Sequence, residues 1–252
     1  MTDALFLTSE AVDDLATPAD YVAAVRDGYR EVGEGAPAEP RTLLPSGDPP
    51  GMLTTYVAML PEVGAMGGYT YAAGFAERDA WFLTPLFDAE TGEPLAVIDG
   101  ASMNPFKTGA AGAVAVDALA RPDASTVAVI GSGPQARGQL RTTATVRDLT
   151  GVRVFSPTPA NRESFADEFA ERLDADVTAV SSADAALADA DVVITATTAS
   201  EPVIADADVE PGTHVTAMGQ YAADKHELPP ELVARATYVP DLTARATRDA
   251  GS

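Results

Sequence analysis

The chain has 252 residues, 46% of them hydrophobic, enough for one large domain or two ordinary ones around a sizeable core. It carries 38 Asp and Glu against 16 Lys and Arg, a net charge of −22 that excludes nucleic acid and anionic membrane as partners. It has no cysteine, hence no disulfide or thiolate metal site; no apolar run approaches the ~18 residues of a membrane span, and residues 1–11 carry early acids and lack the apolar core of a signal peptide, which points to the cytoplasm.

In chain order, residues 17–32 read as one amphipathic helix with Tyr21, Val25 and Tyr29 on a single face. Residues 37–50, rich in proline and glycine, read as a loop. Four strands follow at 56–60, 68–73, 81–88 and 95–99, with a hairpin turn at 88–94 between the last two. This pattern predicts an α+β domain with antiparallel strands. Residues 105–119, mostly Gly and Ala, read as a close-packing linker helix, so the first domain is expected at 1–119 and the second at 120–252.

The second half alternates strand and helix patterns. Strands are expected at 127–130, 152–155, 177–180, 191–197, 214–218 and 238–240, and helices at 134–147, 161–173 and 183–187. The face of the second helix carries Phe165, Phe169 and Leu173. Short β-branched runs bounded by Gly, Pro and Asp predict an α/β fold with a doubly wound parallel sheet of Rossmann type.

The first of these strands feeds the turn Gly131-Ser132-Gly133-Pro134-Gln135-Ala136, a dinucleotide fingerprint in its G-x-G-x-x-A form. Gly131 permits the tight turn, Gly133 lets a pyrophosphate reach the backbone, and Ala136 lets the helix lie close to the strand. The helix start then presents free N–H groups to an anion. The second strand ends in Ser156, Pro157 and Thr158, with no acid to bind ribose hydroxyls, and Arg162 follows. Hydroxyls plus an arginine suit a 2′-phosphate, so the cofactor is expected to be NADP or NAD, with NADP favoured. Thr195 and Thr197 end the fourth strand, where open sheets bind ligands. His214 reads as a buried, satisfied imidazole and His226 as exposed, and no set of residues has metal-ligand spacing.

Three segments carry a further resemblance: residues 88–100, Asp-Ala-Glu-Thr-Gly-Glu-Pro-Leu-Ala-Val-Ile-Asp-Gly; Lys107-Thr-Gly-Ala-Ala; and the fingerprint through Arg137. Together with Pro-Gly-Thr-His-Val-Thr-Ala-Met-Gly at 211–219 and Lys-His-Glu-Leu at 225–228, they resemble the ornithine cyclodeaminase and mu-crystallin family from about residue 7 onward. The resemblance implies an NAD(P)-binding domain, a substrate domain that dimerises through its strands, and chemistry at an amino-acid Cα–N bond. It places Met218 and Gly219 beside the nucleotide. Arg41 matches an arginine that holds the substrate carboxylate, and Lys107 stands where a second carboxylate-binding arginine is usual.

The sequence departs from the family pattern in three ways. A family lysine in the strand at 68–71 is replaced by Thr70 or a neighbour. Counting places Tyr221 at the family's aspartate position, and the nearest acid is Asp224, either a replacement or a surface acid. Family chains continue several tens of residues past the point matching Ser252, so a shortened C-terminus is expected. Tyr69, Tyr71 and Tyr221 are candidate proton donors, since a phenol with a pKa of about 10 is a sluggish base. The expected function is hydride transfer at Cα of a small amino or imino acid by a homodimeric oxidoreductase. The alternatives are ornithine cyclodeaminase and a non-catalytic NADP(H)-binding protein. The acidic surface, with Lys107 and Lys225 as its two lysines, suits a halophilic cytoplasm in which salt screens self-repulsion.

Overall fold

The structure, a computed structural model, describes residues 4–13, 15–75, 80–219, 225–243 and 246. The chain divides into two compact units, Met1–Asn104 and Pro105–Ser252.

The first unit contains β1 (Leu5–Leu7), α1 (Ser9–Val12), α2 (Pro18–Gly33), β2 (Ala38–Gly47), β3 (Pro50–Leu60), β4 (Ala65–Ala73), β5 (Ala80–Asp88) and β6 (Pro94–Asp99). The expected amphipathic helix is α2, and its start is written in the sequence. The Thr17 hydroxyl accepts from the Asp20 N–H while the Asp20 carboxylate accepts from the Thr17 N–H, a reciprocal cap followed by Pro18 in the first turn. The six strands order as β1-β6-β5-β4-β3-β2, antiparallel throughout except for the parallel β1–β6 pair.

Residues 37–50 correct the sequence reading: they form β2 and the turn into β3 rather than a loop. The prolines misled because β2 is an edge strand, where a residue without an N–H leaves no ladder bond unmade. The β1 strand was not expected at all, for three residues carry too little periodicity. The turn at 88–94 is held by Asp88, whose carboxylate accepts from the N–H groups of Glu90 and Thr91, and Gly92 supplies a positive φ of 76°.

Cross-strand register sorts the sheet's side chains. Leu44, Leu53, Ala72 and Trp81 form one row and Thr55, Thr70 and Leu83 the next, on one face that leaves Leu44, Leu53, Val57, Trp81 and Leu83 exposed. The other face carries Tyr56, Tyr69, Tyr71 and Phe82, with ring centroids 5.3–6.5 Å apart.

The second unit contains α3 (Met103–Leu119), β7 (Thr126–Ile130), α4 (Pro134–Thr143), β8 (Gly151–Phe155), α5 (Pro159–Ala170), β9 (Asp176–Ala179), α6 (Ala183–Leu187), β10 (Val192–Thr195), a single 3₁₀ turn at Asp206–Asp208, β11 (His214–Ala217) and α7 (Pro230–Arg235). Its strands are all parallel, in the order β11-β10-β7-β8-β9. Alternate residues of β7 enter two separate cores. Val127 and Val129 join Leu140, Phe165 and Phe169 on one face, while Ala128 and Ile130 join Leu187, Ile204 and Leu232 on the other. Both faces are therefore covered, as near-continuous apolar strands require.

Two expectations are corrected here. Helix α4 stops at Thr143 rather than 147, where the Thr145 hydroxyl donates to the Thr142 carbonyl and closes the helix in a turn. Residues 238–240 add no strand; Tyr238 and Val239 are exposed, and among the described residues β11 is the sheet's edge. The Gly- and Ala-rich character of α3 has a direct use. A Cβ on Gly138 of α4 would overlap the Pro105 carbonyl oxygen, and one on Gly109 would overlap that of Gly138.

His214 on β11 is partly buried and bonds the Thr216 hydroxyl at 3.0 Å, and burial, with the Arg147 charge second, lowers its pKa. The folded state thus favours neutral imidazole. Stability contributed by His214 is full above the unfolded value of about 6.5 and is lost as pH falls through it toward the lower folded value. Denaturant melts between pH 7 and pH 5 are expected to show a steeper loss for the parent than for His214→Gln, by up to about 1.4 kcal/mol per pH unit.

Candidate functional site

Strand order reverses at β7: β8 lies on one side and β10 on the other, so the C-terminal end of β7 opens a crevice. The glycine turn stands at that end. Gly131 has φ +117°, and a Cβ on it would overlap the Ala196 carbonyl oxygen. Its N–H donates to Phe155 O at 2.8 Å, tying the turn to the end of β8. Gly133 is constrained differently: it caps α4 in extended backbone, and a Cβ there would meet nothing within 4 Å. No packing among the described residues demands glycine there, which fits a position kept bare for an approaching ligand. No side chain caps α4, so the N–H groups of its first turn remain for an anion. Ala136 is wholly buried, and Gln135 Oε1 is buried without a hydrogen-bond partner among the described residues. An open cradle and an orphaned acceptor beside it fit a dinucleotide.

Arg137 braces this turn, a role the sequence reading did not give it. Its guanidinium donates to the Ser132 carbonyl and, at 2.7 Å, to Glu168, while lying 5.2 Å over the Phe165 ring. The Ser132 hydroxyl donates to Ser156 Oγ at 3.0 Å, which joins the turn to the end of β8. There Arg162 donates to the Ser156 carbonyl at 2.9 Å, and the Ser156 hydroxyl reaches the Thr158 carbonyl at 3.4 Å. Ser132, Ser156, Thr158 and Arg162 thus form one cluster.

The ends of β10 and β11 converge on a residue with no assigned role in the sequence reading. Glu227 is wholly buried, and its carboxylate accepts from the Thr195 hydroxyl at 2.8 Å, the Thr197 N–H at 2.6 Å and the Gly219 N–H at 2.6 Å. Thr195 is buried and spends its hydroxyl on this contact; the Met218 N–H donates to the Thr195 carbonyl at 3.1 Å. Glu227 stood inside the quoted Lys-His-Glu-Leu segment, and its burial carries no local pattern. Tyr221 and Asp224 lie outside the described residues.

The substrate candidates sit on separate elements. Arg41 occupies β2 in the first unit, where the register with β3 shifts between Glu39 and Thr42, and it is 8% exposed. A bulge of this kind re-aims a side chain. Lys107, half-buried, belongs to α3 of the second unit. In the first unit, Tyr69 donates its hydroxyl to Asn104 Oδ1 at 2.9 Å; burial, then neighbouring Tyr71 and Tyr56, push its pKa well above the ordinary phenol value. Tyr69 therefore holds its proton throughout the neutral range.

A parallel sheet with its strand-order reversal at a glycine turn, an uncapped helix start and a bare Gly133 defines a Rossmann-type dinucleotide-binding protein. More narrowly, the chain belongs to the ornithine cyclodeaminase/mu-crystallin family, whose model matches residues 2–252. It is 36% identical over 154 residues to a Δ1-pyrroline-2-carboxylate reductase of Bacillus cereus, a match covering 61% of this chain and 47% of that one, about half its length. The structure of the Thermococcus litoralis Δ1-pyrroline-2-carboxylate reductase in complex with NADH and L-proline superposes with a TM-score of 0.91. It is 28% identical and covers 98% of this chain and 78% of its own. An archaeal alanine dehydrogenase dimer with bound NAD gives a TM-score of 0.90 at 29% identity, over 97% and 76%.

The two glycines of the turn separate folding from binding. Gly131→Ala is expected to lower stability by about 2–4 kcal/mol through backbone strain and overlap. Gly133→Val is expected to leave the thermal midpoint nearly unchanged yet abolish binding of NADH and NADPH, read by nucleotide fluorescence. Equal behaviour of the two variants in both measurements contradicts the assignment.

Proposed function

We infer that this chain is an NAD(P)-dependent oxidoreductase that interconverts a small amino acid and its imine at Cα. The observation that carries this reading is the bare glycine cradle at the reversal point of the parallel sheet, in a chain of this family. When bound, the nicotinamide supplies or accepts the hydride.

The protein's own residues bind and orient. Ser132, Gly133, Gln135 and the start of α4 hold the pyrophosphate. The family resemblance suits Arg41 to take the substrate carboxylate through its planar fork, and Lys107 to bind a carboxylate as a point charge. The proton at nitrogen is handled by Tyr221, by Asp224 or by water. Tyr69, which keeps its proton, acts as a donor or as part of the aromatic wall, not as a base. Ser156, Thr158 and Arg162 support a 2′-phosphate and so NADP over NAD; the end of β8 carries no acid. The exposed apolar face of the first unit's sheet supports homodimerisation through that face. The acidic composition supports a halophilic cytoplasm.

The direct test is a panel of cyclic ketimines, pyruvate with ammonia, and ornithine. Each is followed by nucleotide absorbance and by ammonia release in molar and low salt. Imine-dependent loss of NADPH absorbance is the expected result; ammonia and proline from ornithine without net redox change favour cyclodeamination instead. Tight NADPH binding with turnover of none of these identifies a binding protein. Arg162→Ala is expected to weaken NADPH by about tenfold and NADH by less than twofold, since a charge-assisted contact of about 1.5 kcal/mol is lost to one alone. Lys107→Met is expected to raise the substrate KM by about tenfold with dinucleotide affinity unchanged. Unaltered steady-state kinetics remove Lys107 from the carboxylate site.

A further inference from the structure

Carboxylates are seldom wholly buried, and a buried one normally needs a cation. Glu227 is wholly buried, yet among the described residues no Lys or Arg pairs with it. Its charge is met by three donors instead: the Thr195 hydroxyl at 2.8 Å and the N–H groups of Thr197 and Gly219, each at 2.6 Å. Two of the three donors are backbone. One belongs to the segment leaving β10, the neighbour of β7, and the other to the segment leaving β11, the next strand out. The Glu227 carbonyl also accepts from the Val203 N–H at 2.9 Å, so the residue is itself anchored.

A second observation points the same way. Gly219 has no positive φ to require glycine, but a Cβ there would overlap the Glu227 carboxyl group. Glycine at 219 makes room for this carboxylate. Among the described residues, the bond from the Met218 N–H to the Thr195 carbonyl at 3.1 Å is the last backbone bond between the two strands, so beyond it the emerging segments have no backbone reason to stay in register. The carboxylate supplies that reason.

We propose that Glu227 is a positioning residue, which clasps the segments leaving β10 and β11 and so sets the floor on which the redox end of the dinucleotide lies. This rests on the oxidoreductase reading above. Among the described residues, no hydrogen bond joins Glu227 to the anion cradle at 131–136 or to the cluster at 156–162; these bind the rest of the dinucleotide without it. Disturbing Glu227 therefore separates turnover from affinity.

Glu227→Gln keeps the size but turns one acceptor into an N–H₂ group, which cannot accept from a backbone N–H. Gly219→Ala keeps the carboxylate and displaces it. Both are expected to speed amide hydrogen exchange at Thr197 and Gly219 by about 100-fold, with the β7 and β8 amides unchanged. Both are expected to lower kcat by about 10- to 100-fold, and Glu227→Gln is expected to leave dinucleotide Kd within about threefold of the parent. Unchanged exchange at both amides overturns the proposal. So does a kcat loss matched by an equal loss of dinucleotide binding and by faster exchange throughout the sheet, the pattern of a merely structural residue. If Glu227→Gln fails to fold, Gly219→Ala decides. Failure of the parent to bind NADH or NADPH overturns the functional reading and leaves the exchange result to judge the clasp.

Discussion

In the second unit Gly131 lies backbone to backbone against the carbonyl of Ala196, too close for any Cβ. Everything at the crevice follows from that contact. The chain turns at Gly131, just past the end of β7, with φ +117° and no room for a Cβ beside the Ala196 carbonyl, so glycine suits the position. The turn sets the direction of α4, and Ala136 and Gly138 then let α4 lie close to the strands and to α3. A helix start is thereby aimed where the sheet has reversed its strand order, and an anion site results from geometry alone.

Several polar side chains of this region hold backbone groups. Glu227 holds three donors at the ends of β10 and β11, Arg137 holds the Ser132 carbonyl, and Asp191 receives the N–H groups of Ser125 and Thr126 at the opposite end of β7. Such groups are costly to bury unless satisfied, and once satisfied they define one arrangement. The two ends of the sheet are thus specified by charged residues, while its middle is Val, Ile, Ala and Phe. Stability and ligand geometry rest on different residues, so a substitution can damage one without the other.

The first unit works by a different rule. Its sheet has an aromatic face and an apolar face, and the latter is left exposed along two cross-strand rows. In a chain of net charge −22 such a face is conspicuous, because long-range repulsion opposes any contact that buries little apolar area. In high salt the repulsion is screened over a few ångströms and the hydrophobic term decides.

Much of the fold was legible in the sequence because its signals are local. The helix starting near residue 17, the turn at 88–94 and the strand-turn-helix at 126–140 each need only neighbouring residues, and each stands where the sequence puts it. Proline count misled at 37–50, since composition does not reveal that a strand is at an edge, and a β-rich triplet misled at 238–240, since pairing needs a neighbour. The sequence by itself determined the glycine turn and the helix start that follows it, because glycine spacing and helix start act through backbone conformation over six residues. Only the tertiary structure decided what Glu227 does and where the Thr195 hydroxyl is spent. Residues 195, 197, 219 and 227 meet through parallel crossovers, and no periodicity within one segment encodes a meeting of three.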